Sequence, residues 1–355
     1  MAVIRGKKLE LPVIQGGMGI GVSLGNLAGY VAREGGMGVI SIANPGYAER
    51  DFWDDPEAAN FRAIEKEIRK AREIAGGCGM IAVNAMVATR SYRESVEKAI
   101  SAGADAVISG AGLPINLPGF AGAEKTALAP VVSSARAAAA LLKLWDKRFG
   151  RQPDFLVIEG SRAGGHLGFS QQELKEGRAK PLEQLLPEIL AEVAPFAEKA
   201  GREIPVFVAG GVRDGHDLAR FMRLGAAGAQ MATRFIATEE CDASPAYKEI
   251  MVKADQSQAV IIESPVGMPG RALASPLIRE ICRGRRIPPR RCTRCLTPCD
   301  PQTTPYCITA ALVEAVRGNW QKGLFFCGAD VDRADRIRPV AELLASIMEE
   351  WREEQ

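Results

Sequence analysis

The stretch FLVIEGSRAGGHLG, residues 155–168, indicates the fold class of this chain. Phe155–Glu159 is a short run of β-forming residues, and the loop behind it contains four glycines and one of the two histidines in the sequence. In α/β proteins, a buried strand that ends in a glycine-rich loop is a common position for ligands and catalytic groups. Two similar units follow at Ile204–Gly211 and Gly228–Phe235. We therefore expect a functional site at these three strand ends.

Short apolar segments alternate with helical patterns along the first two thirds of the chain. Glu57–Ala75, for example, has apolar positions at helical spacing. The predicted strands are Leu11–Gln15, Met37–Ile42, Met80–Asn84, Ala104–Ser109, Leu128–Val132, Phe155–Glu159, Val206–Ala209 and Ala227–Met231. Eight strands that alternate with helices predict an α/β fold, the (β/α)8 TIM barrel. The alternative is an open, doubly wound sheet.

The alternation of strands and helices stops at about Glu239. We expect residues 1–238 to form the barrel and residues 239–355 to form a mostly helical extension packed on it. The extension includes a cysteine cluster at 292–307 and a final amphipathic helix near Pro339–Glu350. Ser23 is predicted to cap the first helix. In a barrel, all strand C-termini open on one face, so the glycine-rich loops are expected to lie together.

Charge and hydropathy narrow the classes of partner. Lysine and arginine number 45 and aspartate and glutamate 43, so no excess charge draws the chain to nucleic acid or to an acidic membrane. There is no run of eighteen apolar residues, and the N-terminal sequence lacks a signal-peptide core. We expect a cytoplasmic protein with a small-molecule substrate. Its eight cysteines are then expected to be thiols or metal ligands rather than disulfides.

Backbone amides at the ends of the last two strands favour a phosphate site. Ala209–Gly211 precedes a helix that starts near Asp214, and Gln230–Thr233 follows the last strand. TIM barrels often bind phosphate here through glycine amides, because a side chain would block its approach. Taken alone, the AGG sequence would equally well be a tight turn. The chain has no Walker motif and no strand-linked G-x-G-x-x-G with a ribose-binding acid, which argues against a nucleoside triphosphate site or a separate NAD domain.

Three polar side chains lie at predicted strand ends. His166 can exchange protons near neutral pH, although a lone histidine is more often structural. Glu159 could orient a ligand or serve as a structural hydrogen-bonding group. Asn84 offers an amide that both donates and accepts, which suits the edge of a heteroaromatic ring. His216 lies at the start of a predicted helix and is expected on the surface.

Four cysteines are crowded into RCTRCLTPCDPQTTPYC. Their spacing is C-x2-C-x3-C-x7-C, and the residues are Cys292, Cys295, Cys299 and Cys307. Thiols this close together suit tetrahedral metal coordination, by a [4Fe–4S] cluster or by structural zinc. The opening C-x2-C-x3-C is similar to the cluster motif of flavin-and-iron–sulfur enoyl and dienoyl reductases. The alternative is that these residues are reduced thiols without a metal.

Five motifs, taken together and in order, resemble the nitronate monooxygenase family and the related FMN-dependent enoyl-ACP reductases. They are IQGGMG, AVNAMV, EGSRAGGHLG, PVFVAGGVRDG and GAAGAQMATRFIATEEC, and the similarity covers roughly residues 3–275. The resemblance implies a TIM barrel with one non-covalent FMN and with His166 as the catalytic histidine. It implies that the flavin ring or ribityl chain contacts Gly17, Met18, Asn84 and Glu159. It also implies that the ribityl phosphate is held by Gly164, Gly165, Gly210, Gly211, Gln230, Met231 and Thr233.

The sequence departs from the monooxygenase pattern at three places. Glu159 replaces a frequent glutamine, and the Ile108–Pro114 loop also resembles the reductase version. Arg162 replaces a common glutamate before the AGGH sequence. An arginine there could pair with an anionic substrate or point to solvent.

Three functions remain open at this point. The first hypothesis is oxidative denitrification of alkyl nitronates with dioxygen, in which His166 deprotonates a neutral nitroalkane or stabilises the bound anion. The alternative is an FMN-dependent reductase of enoyl thioesters or other activated alkenes that uses NAD(P)H or another electron donor, and an iron–sulfur cluster would favour it. The third is a non-redox barrel that binds a phosphorylated metabolite. The helical C-terminal segment could provide a homodimer contact.

Overall fold

The computed structural model describes residues 2–355, and its centre is a closed barrel of eight parallel strands. The barrel strands β1 to β8 are Val13–Gln15, Met37–Ser41, Met80–Met86, Ala106–Gly110, Ala127–Val132, Leu156–Glu159, Val206–Ala209 and Gly228–Met231. Each strand pairs with the next one along the chain, and β8 pairs with β1 to close the ring. The predicted (β/α)8 TIM barrel is therefore confirmed, and the open sheet is excluded.

Helices follow the barrel strands and cover their outer faces. The main ones are Gly25–Arg33, Pro56–Ala75, Tyr92–Ser101, Ala135–Phe149, Leu182–Ala200 and Gly215–Arg223. Asp55, Ser134 and Asp214 cap three of them by accepting a backbone N–H in the first turn. The predicted cap at Ser23 is wrong. The carboxylate of Asp242 accepts from the amides of Leu24 and Leu27 instead, at 2.8 and 3.2 Å.

The chain beyond β8 contains helices and a β-hairpin that the sequence analysis did not predict. The hairpin strands are Ala259–Glu263 and Pro269–Leu273, and the second pairs with the short strand Gly165–His166. The remaining helices are Gln171–Lys175, Thr233–Ile236, Pro245–Val252, Pro276–Cys282, Ile308–Val316 and Val340–Glu353. Short 3₁₀ turns lie at Leu117–Gly119, Ala123–Lys125, Gln256–Gln258 and Val331–Arg333. The division of the chain at residue 238 stays a prediction.

The barrel interior is filled by apolar side chains, so it is a core and not a channel. Phe155 and Phe207 meet edge to face inside it, with ring centroids 5.7 Å apart. Ile4 and Leu9, on either side of the Lys7–Lys8 strand of the N-terminal hairpin, belong to the same buried cluster. Open space is consequently found at the C-terminal ends of the strands. Within residues 2–355, no helix is long and apolar enough to cross a membrane.

Candidate active site

A cavity of about 460 Å³ lies at the C-terminal ends of the barrel strands. The segments behind all eight strands contribute to its wall, as expected for a ligand site in this fold. The cavity is lined by every residue predicted from the sequence to be catalytic or to bind the cofactor, namely Gly17, Met18, Asn84, Glu159, Gly164, Gly165, His166, Gly210, Gly211, Gln230, Met231 and Thr233. The structure thus brings together residues that are more than two hundred positions apart. Their roles in binding or catalysis stay predictions.

Part of the cavity wall comes from the C-terminal region, which the sequence analysis missed. Met268, Leu312 and the segment Phe326–Arg333 contribute lining residues. The amide of Gly328 donates to Thr233 Oγ1 at 3.1 Å, which fixes this segment against the loop behind β8. No motif marks these residues, because their contribution depends on contacts between distant parts of the chain.

Glycines allow the loops to approach each other and leave room in the cavity. A Cβ atom at Gly17 would lie 2.3 Å from the Cβ of Asn84, so β1 and β3 can approach this closely only with glycine there. Gly210 and Gly211 have positive φ angles of 84° and 98°, a conformation that favours glycine. A Cβ at Gly210 would lie 2.6 Å from the amide nitrogen of Ala163. Glycine at 210 therefore lets the loops behind β6 and β7 pack against each other.

Four arginines from the loops behind β6, β7 and β8 and from the C-terminal segment bring positive charge to the cavity wall. Arg162, Arg213, Arg234 and Arg333 all line it. Arg213 is paired with Asp217, with Nε 2.6 Å from Oδ2, whereas residues 2–355 supply no carboxylate partner for Arg234 or Arg333. Since arginine forks match phosphate oxygens well, this end of the cavity suits a phosphate group.

Arg162 makes an ion pair with Asp330. Its Nε lies 3.2 Å from Asp330 Oδ2, and its Nη2 contacts the other carboxylate oxygen. The main chain of Arg162 also accepts from the amide of Ala329 at 3.0 Å. Neither alternative drawn from the sequence describes this arrangement, because the guanidinium is neither free for a substrate nor directed only to solvent. It instead ties the β6 loop to the C-terminal wall.

The cavity also contains a buried polar atom without a partner. Oε1 of Gln230 is buried and accepts no hydrogen bond within residues 2–355. Buried amide oxygens are nearly always paired in folded proteins, because an unpaired one loses its hydration without compensation. Since Gln230 lines the cavity, this oxygen is available to a hydrogen-bond donor on a ligand.

Glu159 is a carboxylic acid that titrates near neutrality. Its Oε2 accepts from the amide of Gly168 at 3.2 Å at the end of β6. Burial raises the pKa of Glu159 to about 7, although the hydrogen bond from Gly168 and the charge of Arg271 act in the opposite direction. A proton can therefore reside on this side chain at neutral pH.

His166 is held on three sides. Its backbone pairs with Gly270, its ring lies edge-on to Phe326 with centroids 5.0 Å apart, and its Nε2 lies 2.8 Å from Ser264 Oγ. Burial lowers the pKa of His166 to about 4, so the imidazole is neutral at pH 7. By contrast, His216 is exposed and its Nδ1 lies 3.2 Å from Glu354 Oε1, which confirms the predicted surface position.

The cysteine cluster does not line the cavity. Cys292 is exposed, whereas Cys295, Cys299 and Cys307 are half-buried. Burial raises the pKa of Cys307, and the nearby Cys295 and Cys292 thiolates raise it further. Nowhere in residues 2–355 do three or more His, Cys, Asp or Glu side chains converge as metal ligands. Metal binding by these four cysteines thus stays a prediction.

Comparison with known proteins gives the following matches. A family model described as nitronate monooxygenase matches residues 2–350. A probable nitronate monooxygenase of Staphylococcus saprophyticus is 31% identical over 129 residues, which are 36% of this chain and 34% of that protein. The (3aS,4S,5R,7aS)-5-hydroxy-7a-methyl-1-oxo-octahydro-1H-indene-4-carboxyl-CoA dehydrogenase of Mycobacterium tuberculosis is 34% identical over 133 residues, 38% of this chain and 33% of that protein. The matched stretch thus spans about a third of the length of these curated relatives.

Two solved structures cover nearly the whole chain. FabK from Thermotoga maritima is 26% identical with a TM-score of 0.73, and the match covers 97% of this chain and 94% of FabK. The nitroalkane oxidase from Streptomyces ansochromogenes is 20% identical with a TM-score of 0.73, and the match covers 98% of this chain and 97% of that one. At 20% identity the second likeness supports the fold alone.

Proposed function

Because the chain belongs to the nitronate monooxygenase family, we propose that it is an FMN-dependent oxidoreductase that converts alkyl nitronates and dioxygen into carbonyl compounds and nitrite. The observation that carries this proposal is that His166 and the glycine-rich motifs of that family line one cavity. The matched stretch covers only about a third of each curated relative, and the activity and the substrate of this chain are therefore proposals.

Three observations support the fit of a flavin mononucleotide to the cavity. Its volume of about 460 Å³ lies in the range of small-molecule sites. The unpaired Oε1 of Gln230 lacks a hydrogen-bond donor, and Gly165, which lines the cavity, leaves open space that a Cβ would fill. We assign Gly164, Gly165, Gly210, Gly211, Gln230, Met231 and Thr233 to the phosphate and ribityl end, and Gly17, Met18, Asn84 and Glu159 to the ring and upper ribityl chain. When bound, FMN would supply the electron acceptor and the site of reaction with dioxygen.

Side chains of the protein set the protonation and the hydration of the substrate end of the cavity. His166 is neutral and offers a ring nitrogen to the cavity, and Glu159 holds or releases a proton near pH 7. The apolar side chains of Met268, Leu312 and Phe326 limit access of water to this end. An anionic nitronate would therefore meet a hydrogen-bond donor in a poorly hydrated environment, where such a bond is strong.

Flavin analysis and nitrite release test the proposal. The purified protein should release FMN on denaturation and, loaded with FMN, should form nitrite and consume oxygen with propyl-2-nitronate. The surface variant His216→Asn should match the wild type, because that histidine lies outside the cavity. A flavin-loaded protein that forms no nitrite from nitronates would exclude this activity.

The second candidate is reduction of an enoyl thioester or another activated alkene. Glu159 and the Ile108–Pro114 loop resemble the reductase version of the motifs, and the M. tuberculosis relative is named as a dehydrogenase of a CoA thioester. This candidate predicts oxidation of NAD(P)H by an enoyl-CoA under anaerobic conditions. Anaerobic NAD(P)H oxidation without nitrite formation under air would select it.

The [4Fe–4S] cluster and the less favoured zinc site are separate proposals at Cys292, Cys295, Cys299 and Cys307. Four thiols are suitable ligands, although within residues 2–355 they do not converge as a ligand set, and no reaction step is assigned to them. About four irons per chain in anaerobically purified protein would support the cluster.

The cytoplasmic location and the homodimer also remain proposals. Eight free thiols are typical of a protein in a reducing compartment.

A further inference from the structure

His166 shares a buried hydrogen-bond network with two residues that no motif singled out. Ser264, on the turn of the hairpin, places its Oγ 2.8 Å from His166 Nε2. The same oxygen accepts from the backbone amide of Val266 at 3.3 Å.

The hydrogen count of this network has one complete solution. A serine hydroxyl has one hydrogen and two acceptor lone pairs. The amide of Val266 takes one lone pair, and within residues 2–355 this oxygen has no hydrogen-bond partner besides that amide and His166 Nε2. The single hydrogen of Ser264 is then left for His166 Nε2. Every donor in the network has an acceptor in this arrangement.

The opposite arrangement leaves a buried donor unpaired. If His166 carried its hydrogen on Nε2, Ser264 would accept from both Nε2 and the amide of Val266. The hydroxyl hydrogen of Ser264, which is a buried residue, would then have no acceptor within residues 2–355. A buried donor without a partner is unfavourable, so this tautomer is disfavoured.

We infer that Ser264 is a positioning residue that holds His166 in the Nδ1–H tautomer. Nε2 is engaged by Ser264, and residues 2–355 supply no partner for Nδ1, which is the nitrogen left for a ligand in the cavity. His166 consequently presents a hydrogen-bond donor and not a base. In the terms of the proposed function, on which this consequence rests, the site selects substrates that are already anionic, nitronates over neutral nitroalkanes.

No charged group contradicts a neutral donor at this position. His166 forms no ion pair in the part of the chain described, and burial is what lowers its pKa, to about 4. Glu159 and Arg162 line the same cavity, but their polar partners are Gly168 and Asp330. The tautomer is therefore set by hydrogen bonding to Ser264.

The tautomer can be read directly, because the chain has only two histidines. We would record long-range ¹H–¹⁵N NMR spectra of the FMN-loaded protein with ¹⁵N-labelled histidine, in a His216→Asn background that leaves one imidazole. The expected spectrum at pH 7 is that of a neutral ring with the hydrogen on Nδ1. A ring with the hydrogen on Nε2, or an imidazolium, would overturn the inference.

Variants separate positioning from general stability. Ser264→Ala should give a tautomer mixture and lower kcat/KM for a nitronate about tenfold, the effect of weakening one hydrogen bond. Ser264→Thr keeps the hydroxyl and should restore both, and Ser257→Ala, an exposed serine of the same region, should change neither. An unchanged tautomer in Ser264→Ala contradicts the inference. If the tautomer is as expected but nitronates are not turned over, the proposed function fails and the positioning role stands.

Discussion

Gly270 pairs with His166 across an antiparallel ladder, so a hairpin from outside the barrel holds the histidine of the cavity. Arg271 continues this ladder opposite Gly165. Its Nη1 donates to the carbonyl oxygen of Ala163 at 2.5 Å. The β6 loop of the barrel is thus a strand of a second sheet. Its conformation depends on residues that follow the last barrel strand.

Gly165 and Gly177 form a matched pair for testing the flavin site. Both have positive φ angles, 74° and 64°, and a Cβ at either would meet no atom within 4 Å, so alanine should strain the backbone equally. Only Gly165 lines the cavity. We expect Gly165→Ala to weaken FMN binding about tenfold or more, because the new methyl group occupies ligand space. Flavin fluorescence titration measures this, and equal affinities in the two variants would remove Gly165 from the binding site.

Replacing Gln230 should weaken FMN binding without lowering the stability of the flavin-free protein. Replacing it by leucine removes the unpaired buried oxygen, so the flavin-free protein should not lose thermal stability. The same variant removes a ligand contact, and FMN affinity should fall about tenfold. Calorimetry of FMN binding and thermal unfolding without flavin would test the two parts. A Gln230→Leu protein with normal affinity would show that the oxygen does not face the flavin.

Glu159 should make stability depend on pH. Its pKa is raised in the folded state from 4.5 to about 7, so folded protein binds this proton more tightly than the unfolded chain. The resulting stabilisation is complete below pH 4.5 and is lost as the pH rises through 7. We expect Glu159→Gln to raise the Tm of flavin-free protein by about 1–3 °C at pH 8 and to leave it unchanged at pH 4.5. A Tm difference that is the same at both pH values would contradict the raised pKa.

His166 should not titrate in the range where the enzyme works. Its pKa of about 4 keeps the ring neutral from pH 5 upwards, so its titration should leave no inflection in kcat/KM for nitronates between pH 5 and 8. His166→Asn should lower kcat/KM about tenfold or more. Steady-state rates of nitrite formation over this pH range provide the measurement, with His216→Asn as the control. An inflection near pH 6.5 that disappears in His166→Asn would show that the ring is exposed to solvent.

The barrel could be predicted from the sequence because each of its strands is marked by a local pattern of residues. Each strand is a short apolar run, such as Leu156–Glu159, and each ends in glycines or polar residues that mark the site face. The predicted strand ends differ from the observed ones by at most two residues, and the residues carried over from the family motifs line one cavity.

The hairpin, the Asp242 cap and the C-terminal wall could not be predicted, because they depend on contacts between distant residues. His166 and Ser264 are 98 residues apart, and Asp242 caps a helix 218 residues before it. Ala259–Glu263 is a run of β-forming residues, which was a signal for a strand. It pairs with Pro269–Leu273, and the partner of that second strand on the barrel loop, Gly165–His166, carried no such signal. Arg162 shows the same limit, since Asp330 lies 168 residues away.

The segment Phe326–Arg333 gives the cavity a wall that is not part of the barrel. A ligand that contacts both sides binds only when this wall is in place, so its binding free energy is added to the free energy that keeps the C-terminal region folded. Saturating FMN should therefore slow proteolysis near residue 330 more than proteolysis of the barrel's outer helices. In a cell, the lifetime of the chain would then follow its supply of cofactor.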